Sequence, residues 1–193
     1  MPYIRYDTRE IAFKVVYYGP GMSGKTTNLV HIHRTLRPEV RGELLTLNTD
    51  EERTLFFDFF PVELGEAEGY RVRFNLYTVP GQVYYEASRR LVLEGADGIV
   101  FVADSQASRL EENLQSYRMM LENLASFQID PKSFPAVLQY NKRDCGGPLP
   151  VGTLEKTLGL NGIPVLEAVA VNGTGVMETI KRVTRMVIER FQI

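Results

Sequence analysis

Residues 19–26 read GPGMSGKT, an instance of G-x-x-x-x-G-K-[ST], the spacing of a loop that wraps a polyphosphate. Such a ligand carries more negative charge than one side chain can meet, so several backbone N–H groups must converge on it from a tight turn. Glycines at Gly19, Gly21 and Gly24 let the chain curl that closely. The helix expected after the loop adds partial positive charge at its start. Lys25 supplies a full charge for the β- and γ-phosphates, and the Thr26 hydroxyl is a ligand for Mg²⁺. Ser23 and Thr27 complete the expected phosphate contacts. At average residue usage the string arises by chance in roughly one chain per hundred of this length, and here it joins an expected strand to an expected helix.

A second constellation follows the apolar segment ending LQYN: Asn141-Lys142-Arg143-Asp144, an N-K-x-D string. Its place after a strand puts it on the same sheet edge as the phosphate loop. Asp144 there can accept hydrogen bonds from N1–H and the exocyclic amino group of guanine. Adenine offers no matching donors and would leave the carboxylate unpaired, a difference worth about 10⁴-fold or more. The stem of Lys142 can lie across the base, and Asn141 can tie neighbouring loops together. The two strings together predict GTP as substrate, GDP as product and Mg²⁺ as cofactor.

Apolar runs and helical patterns that alternate along the chain must position these residues, the pattern of a parallel sheet with crossover helices. Strands are expected over residues 13–18, 62–66, 71–78, 98–104, 136–141 and 165–170. Helices are expected over residues 25–37, 84–94, 108–127 and 176–191, with residues 38–61 less regular. In the last helix Val176, Ile180, Val183, Val187 and Phe191 recur at three- and four-residue steps, an apolar core-facing stripe. Six strands and about five helices predict a doubly wound, mostly parallel α/β domain with helices on both faces, binding ligands beyond the carboxyl ends of its strands. Phe56, Phe57, Phe59 and Phe60 crowd around Asp58, an aromatic run that must be partly core and partly available to a partner.

Composition narrows the class. The chain has 193 residues, 44% hydrophobic and 24% charged, which suits one globular domain spanning 1–193. Lys and Arg number 22 against 24 Asp and Glu, a net charge of -2 that gives no reason to expect nucleic-acid binding. A lone cysteine, Cys145, suits a reducing cytosol. The opening MPYIRYDTREIAF lacks a signal-peptide core, Pro2 excludes myristoylation and the ending ERFQI lacks a prenylation cysteine. A cytoplasmic protein with no intrinsic membrane anchor is expected. His31 and His33 do not share a helix face, and Arg89 and Arg90 read as solvated helix residues.

At these strings the sequence resembles the Ras-like small GTPases of the P-loop NTPase fold, and more closely the bacterial MglA group of cell-polarity GTPases. The likeness covers nearly the whole chain, through YYGPGMSGKTTN, EERTLFFDF, LYTVPGQVYYEASR, GIVFVADS, QYNKRD and EAVA. It implies a GTP-hydrolysing switch in which Gln82 orients the attacking water and Gly81 offers its N–H to the γ-phosphate. Thr54 would close over Mg²⁺ in the GTP state, and Arg53 would serve as an arginine finger within the chain. Ala170 would donate its N–H to the guanine oxygen. The strand after the first switch would shift between nucleotide states. Hydrolysis would be slow alone and accelerated by a homodimeric roadblock-domain protein (MglB-like), with polarity effectors downstream and recruitment to a cell pole by partners. Two departures stand out. The usual D-x-x-G reads Thr78-Val79-Pro80-Gly81, which removes a second-layer metal partner, and the usual S-A-K reads Val169-Ala170-Val171. Thr78 leaves open a GTPase-like scaffold that holds nucleotide with little hydrolysis. A nucleoside kinase or ATPase would need an acceptor site or lid that the chain does not display.

Overall fold

The computed structural model describes residues 2–48, 54–80 and 86–192. In chain order its elements are β1 (Tyr3–Arg5), β2 (Glu10–Tyr18), α1 (Lys25–Thr35), β3 (Leu45–Asn48), β4 (Thr54–Ala67) and β5 (Tyr70–Thr78). There follow α2 (Glu86–Leu93), β6 (Gly98–Asp104), α3 (Leu110–Ser126), β7 (Ala136–Asn141), α4 (Thr153–Leu158), β8 (Val165–Glu167) and α5 (Val176–Phe191). They form one sheet of order β3-β4-β5-β2-β6-β7-β8, with β1 paired to β2. The run from β5 to β8 is parallel, whereas β4, β3 and β1 join antiparallel.

The core explains the order. β6 is buried at every position, as a parallel strand covered on both faces must be. Alternation along β2 sends Phe13, Val15 and Tyr17 to one face and Val16 and Tyr18 to the other. On the first face α1 and α5 bring Leu29, Ile32, Val183 and Val187 against Phe60 and Phe74. On the second, Leu93, Leu114, Tyr117 and Leu154 come from α2, α3 and α4. The parallel strands β2, β6 and β7 therefore end together. Asp104 pairs with Asn141 at the end of β6 and β7, beside the loop that leaves Tyr18. Among the described residues no helix is long and apolar enough to cross a membrane.

The sheet is larger than the six strands expected. β1 and β3 are additions, and β4 begins at Thr54, well ahead of the expected residue 62. β1 is exposed throughout, so it lacks the burial alternation that marks a strand in sequence. The FFDFF run joins β4 because Phe60 is fully buried while Phe57 and Phe59 lie against Tyr77 on the opposite face. α1 stops at Thr35 because Arg37 precedes Pro38 and takes an extended conformation (ψ 146°). β8 ends at Glu167, after which Val169 N–H bonds the Thr174 carbonyl and the chain turns. α4 was unassigned in sequence; left-handed glycines at Gly152 and Gly159 bound its single short run. Residues 84–85 of the expected second helix lie outside the described residues.

Phe74 is fully buried and its ring stacks on Phe13 at 5.1 Å. Phe74→Ala should cost about 3–5 kcal/mol of unfolding free energy, read by urea denaturation of nucleotide-loaded protein. A loss below about 1 kcal/mol would show that this face does not carry the core.

Candidate functional site

The phosphate loop joins β2 to α1, and its backbone explains its glycines. Gly19 has φ +141° and a Cβ there would stand 2.2 Å from the Val102 carbonyl oxygen. Gly24 has φ +100° and a Cβ there would stand 2.2 Å from Asn141 Nδ2. Both positions exclude a side chain twice over, by dihedral and by space. Gly24 is also the residue that begins α1, with no side-chain cap and no acid in the first turn. The N–H groups of that turn, which includes Thr27, lie at the positive end of the helix, the end that suits an anion.

Lys25 is only 7% exposed, and its Nζ donates to the carbonyls of Gly19 (3.0 Å) and Pro20 (2.7 Å). Burial pushes the ammonium down from 10.5 to about 7, against the pull of the nearby Asp58 carboxylate and with the Arg89 charge adding to the depression. An ammonium folded under its own loop gains from any further negative charge that approaches it. Ser23 is fully buried, and its Oγ has no hydrogen-bond partner among the described residues.

Next to Lys25 the structure brings in a residue to which the sequence reading gave no role. Thr26 Oγ1 donates to Asp58 Oδ2 at 2.6 Å, and Thr78 Oγ1 donates to the same oxygen at 2.8 Å. The Asp58 N–H in turn donates to Thr78 Oγ1 at 2.8 Å. Asp58 is fully buried, and its Oδ1 has no hydrogen-bond partner among the described residues. Thr78 therefore does not leave the site without a carboxylate: β4, antiparallel to β5, supplies one from the adjacent strand. The signal for it was a lone acid at the inward period of Phe60 and Val62, read in sequence as part of an aromatic run.

At the base side Asn141 is 2% exposed and joins three segments. Its Nδ2 donates to the Ser23 carbonyl at 2.7 Å, and its Oδ1 accepts the Ala170 N–H at 2.9 Å. The amide that resemblance assigns to the guanine oxygen is thus bonded to Asn141. Lys142 adopts φ +63° and its Nζ pairs with buried Asp104 Oδ2 at 2.6 Å. Arg143 crosses to the last loop, donating from Nε to Glu167 Oε2 and from Nη1 to the Leu149 carbonyl, each at 2.6 Å. That bridge supplies side-chain support where the S-A-K pattern is missing. Asp144 is exposed.

Of the expected site residues, Gly19, Gly21, Ser23, Gly24, Lys25, Thr26 and Thr27 come together with Asn141, Lys142, Asp144 and Ala170 at one sheet edge. Thr54 begins β4. Arg53, Gly81, Gln82, Tyr84 and Tyr85 lie outside the described residues. Arg89 is a correction: it is 3% exposed rather than solvated, because it shares the inward face of α2 with Val92 and Leu93. Arg90 stays outside, its guanidinium 5.5 Å from the centre of the Phe127 ring. His31 packs against Gly173, where a Cβ would stand 2.0 Å from its ring, and His33 Nε2 lies 3.1 Å from the Gly42 carbonyl.

No family model matches the chain. It is, however, 50% identical over 188 residues to the mutual gliding-motility protein MglA of Myxococcus xanthus (strain DK1622), covering 97% of this chain and 96% of that protein. The chain belongs to the MglA family of small Ras-like GTPases. A more distant likeness, 28% over 187 residues, links it to ADP-ribosylation factor-like protein 4D of Mus musculus, with 93% of this chain and 85% of that protein covered. It is a GTPase switch that binds GTP and GDP.

Lys25 gives a pH test with a definite sign. Its folded pKa is lowered, so from about pH 7 to about 10.5 the unfolded chain binds the extra proton and stability of the nucleotide-free protein rises with pH. Below that window the cost of burying the charge is present in full. Phosphate beside the ammonium restores the proton, so GDP binding near pH 8 should take up a proton and binding near pH 6 should not. Calorimetry in buffers of different ionisation enthalpy measures this; equal proton uptake at both pH values would remove Lys25 from the phosphates.

Proposed function

We propose that this MglA-family GTPase is a single-domain, Mg²⁺-dependent switch of bacterial cell polarity and motility, slow alone and accelerated by a homodimeric roadblock-domain protein. The observation that carries the reading is the Asp58 carboxylate held between Thr26 and Thr78 beside a depressed Lys25. A hydroxyl and a carboxylate, with one buried carboxylate oxygen that has no hydrogen-bond partner among the described residues, fit a hard cation that prefers oxygen. Among the described residues no group of three or more His, Cys, Asp or Glu could hold a metal, as suits a site where phosphates and water complete the shell. When bound, Mg²⁺ neutralises charge on the phosphate oxygens.

The chain's own residues do the rest. The loop amides and Lys25 hold the β- and γ-phosphates, and Thr26 faces the metal. Thr54 closes over it in the GTP state, while the Gly81 N–H senses the γ-phosphate. Gln82 orients the attacking water, and Arg53 supplies positive charge to the transition state. Asp144 accepts from the guanine edge, with Lys142 across the base, and the Ala170 N–H exchanges its bond to Asn141 Oδ1 for the guanine oxygen when the base enters. The relative's name, a gliding-motility protein, supports a motility role. Polarity effectors and recruitment to a cell pole by partners follow from that kinship. A nucleotide-holding scaffold rested on Thr78, and Asp58 removes that argument.

Phosphate release from GTP, with and without the roadblock partner, tests the mechanism. Arg53→Ala should bind GTP nearly as well as the natural chain yet lose partner-stimulated turnover by about 10³-fold, and Gln82→Leu should lose it similarly. Stimulated rates unchanged by either substitution would take both residues out of the mechanism.

Asp58 makes a separate claim. Chelating Mg²⁺ should speed GDP release from the natural chain. In Asp58→Asn, release in Mg²⁺ should already be faster by about 10- to 100-fold and respond little to chelation. A full chelation response in the variant would show that Asp58 does not serve the metal.

A further inference from the structure

We propose that Arg109 is a positioning residue for the phosphates, acting through the peptide between Gly21 and Met22; the inference rests on the nucleotide-binding reading above. Two independent observations meet at that peptide. Arg109 lies in the 3-10 turn Ala107–Arg109 before α3, and its Nη2 donates to the Gly21 carbonyl oxygen at 3.0 Å, across 88 residues of sequence. Met22, the residue on the other side of the peptide, has φ +62°. That is the left-handed region, which a residue with a Cβ avoids unless something holds it there. Met22 is 87% exposed, so packing of its side chain does not hold it.

The geometry of an amide links the two. The described residues contain no cis peptide bonds, and in a planar trans peptide the C=O and the following N–H point in opposite directions. A guanidinium that holds the Gly21 oxygen toward α3 therefore turns the Met22 N–H the other way, into the concave side of the loop. There it becomes a donor for the phosphate chain of a guanosine di- or triphosphate. Arg109 is itself oriented by Glu112, whose Oε1 lies 2.8 Å from Nη1 one helical turn along. Both side chains are substantially exposed, 32% and 42%, so the pair adds little to the stability of the fold. Its consequence falls on the loop. Gly21 and Met22 thus meet the phosphates in a conformation set by α3, an element distant from the phosphate motif in sequence.

The test compares dissociation of a fluorescent GDP, and competition by GMP, across the natural chain, Arg109→Ala, Met22→Gly and the double variant, all in Mg²⁺. Arg109→Ala should release GDP about tenfold faster while its thermal midpoint and its affinity for GMP stay where they were. A glycine at 22 takes a positive φ without steric penalty, so the effect of Arg109→Ala should shrink in the Met22→Gly background. Unchanged GDP release in Arg109→Ala would overturn the proposal, as would equal losses for GDP and GMP. A double variant that is strictly additive would also overturn it, because Arg109 would then act other than through this peptide. A natural chain that binds no GDP at all would instead sink the nucleotide reading, a result distinguishable from these.

Discussion

Asp58, on β4, ties α1 to the end of β5. Its carboxylate receives the hydroxyls of Thr26, in the first turn of α1, and Thr78, at the end of β5, while its own amide closes back on Thr78. The arrangement depends on the register of β4. Side chains of a strand alternate between faces, so a slip of one residue would present Phe57 or Phe59 to Thr26 instead of the acid. Phe60 and Val62 share the inward face of Asp58 and are buried there, which holds the register by packing. A buried carboxylate is costly when it lacks a partner. Here two hydroxyls and the field of the Lys25 ammonium offset that cost, and the same carboxylate opposes the depression of Lys25.

The base side is organised by a comparable economy of contacts. Asn141 binds the Ser23 carbonyl with its amide nitrogen and the Ala170 N–H with its amide oxygen, so the phosphate loop and the last loop are referenced to one rigid side chain. Gly24 is glycine partly because Asn141 occupies the space a Cβ would need. Lys142 is held by Asp104 and Arg143 by Glu167, which places N-K-R-D between β6 and β8 rather than on a free turn. Such cross-loop bonds hold a site near its working geometry before the ligand arrives, which lowers the ordering cost of binding.

The aspartate of the Ras-pattern D-x-x-G element and that pattern's serine and lysine around the last loop are absent, and each absence has a structural answer in a neighbouring strand or loop. Asp58 answers the first from β4, and the Arg143–Glu167 bridge answers the second from the end of β7. What the site requires is an oxygen or a cation at a place in space. The strand that delivers it is open to change, because adjacent strands in a sheet lie within one side-chain length of each other.

Local chemistry was legible in the sequence because it depends on neighbours along the chain. Six residues of spacing between Gly19 and Lys25 are enough to specify a phosphate loop, and an unbroken apolar run such as residues 98–104 announces a strand covered on both faces. The parallel order of β5 to β8 followed from the alternation of strands and helices, and Asn141 as a tie between loops was readable from its motif. The short strand β1 was not readable, since an exposed strand carries no burial period, nor was the four-residue β3, and the long β4 was hidden by an aromatic run with an acid at its centre. Only the tertiary structure placed Asp58 on Thr26, Asp104 on Lys142 and Arg109 on Gly21, and turned Arg89 inward. These are contacts between residues 32, 38, 88 or more positions apart, and a side chain's partner at such range is decided by strand register and helix packing, not by the residues beside it.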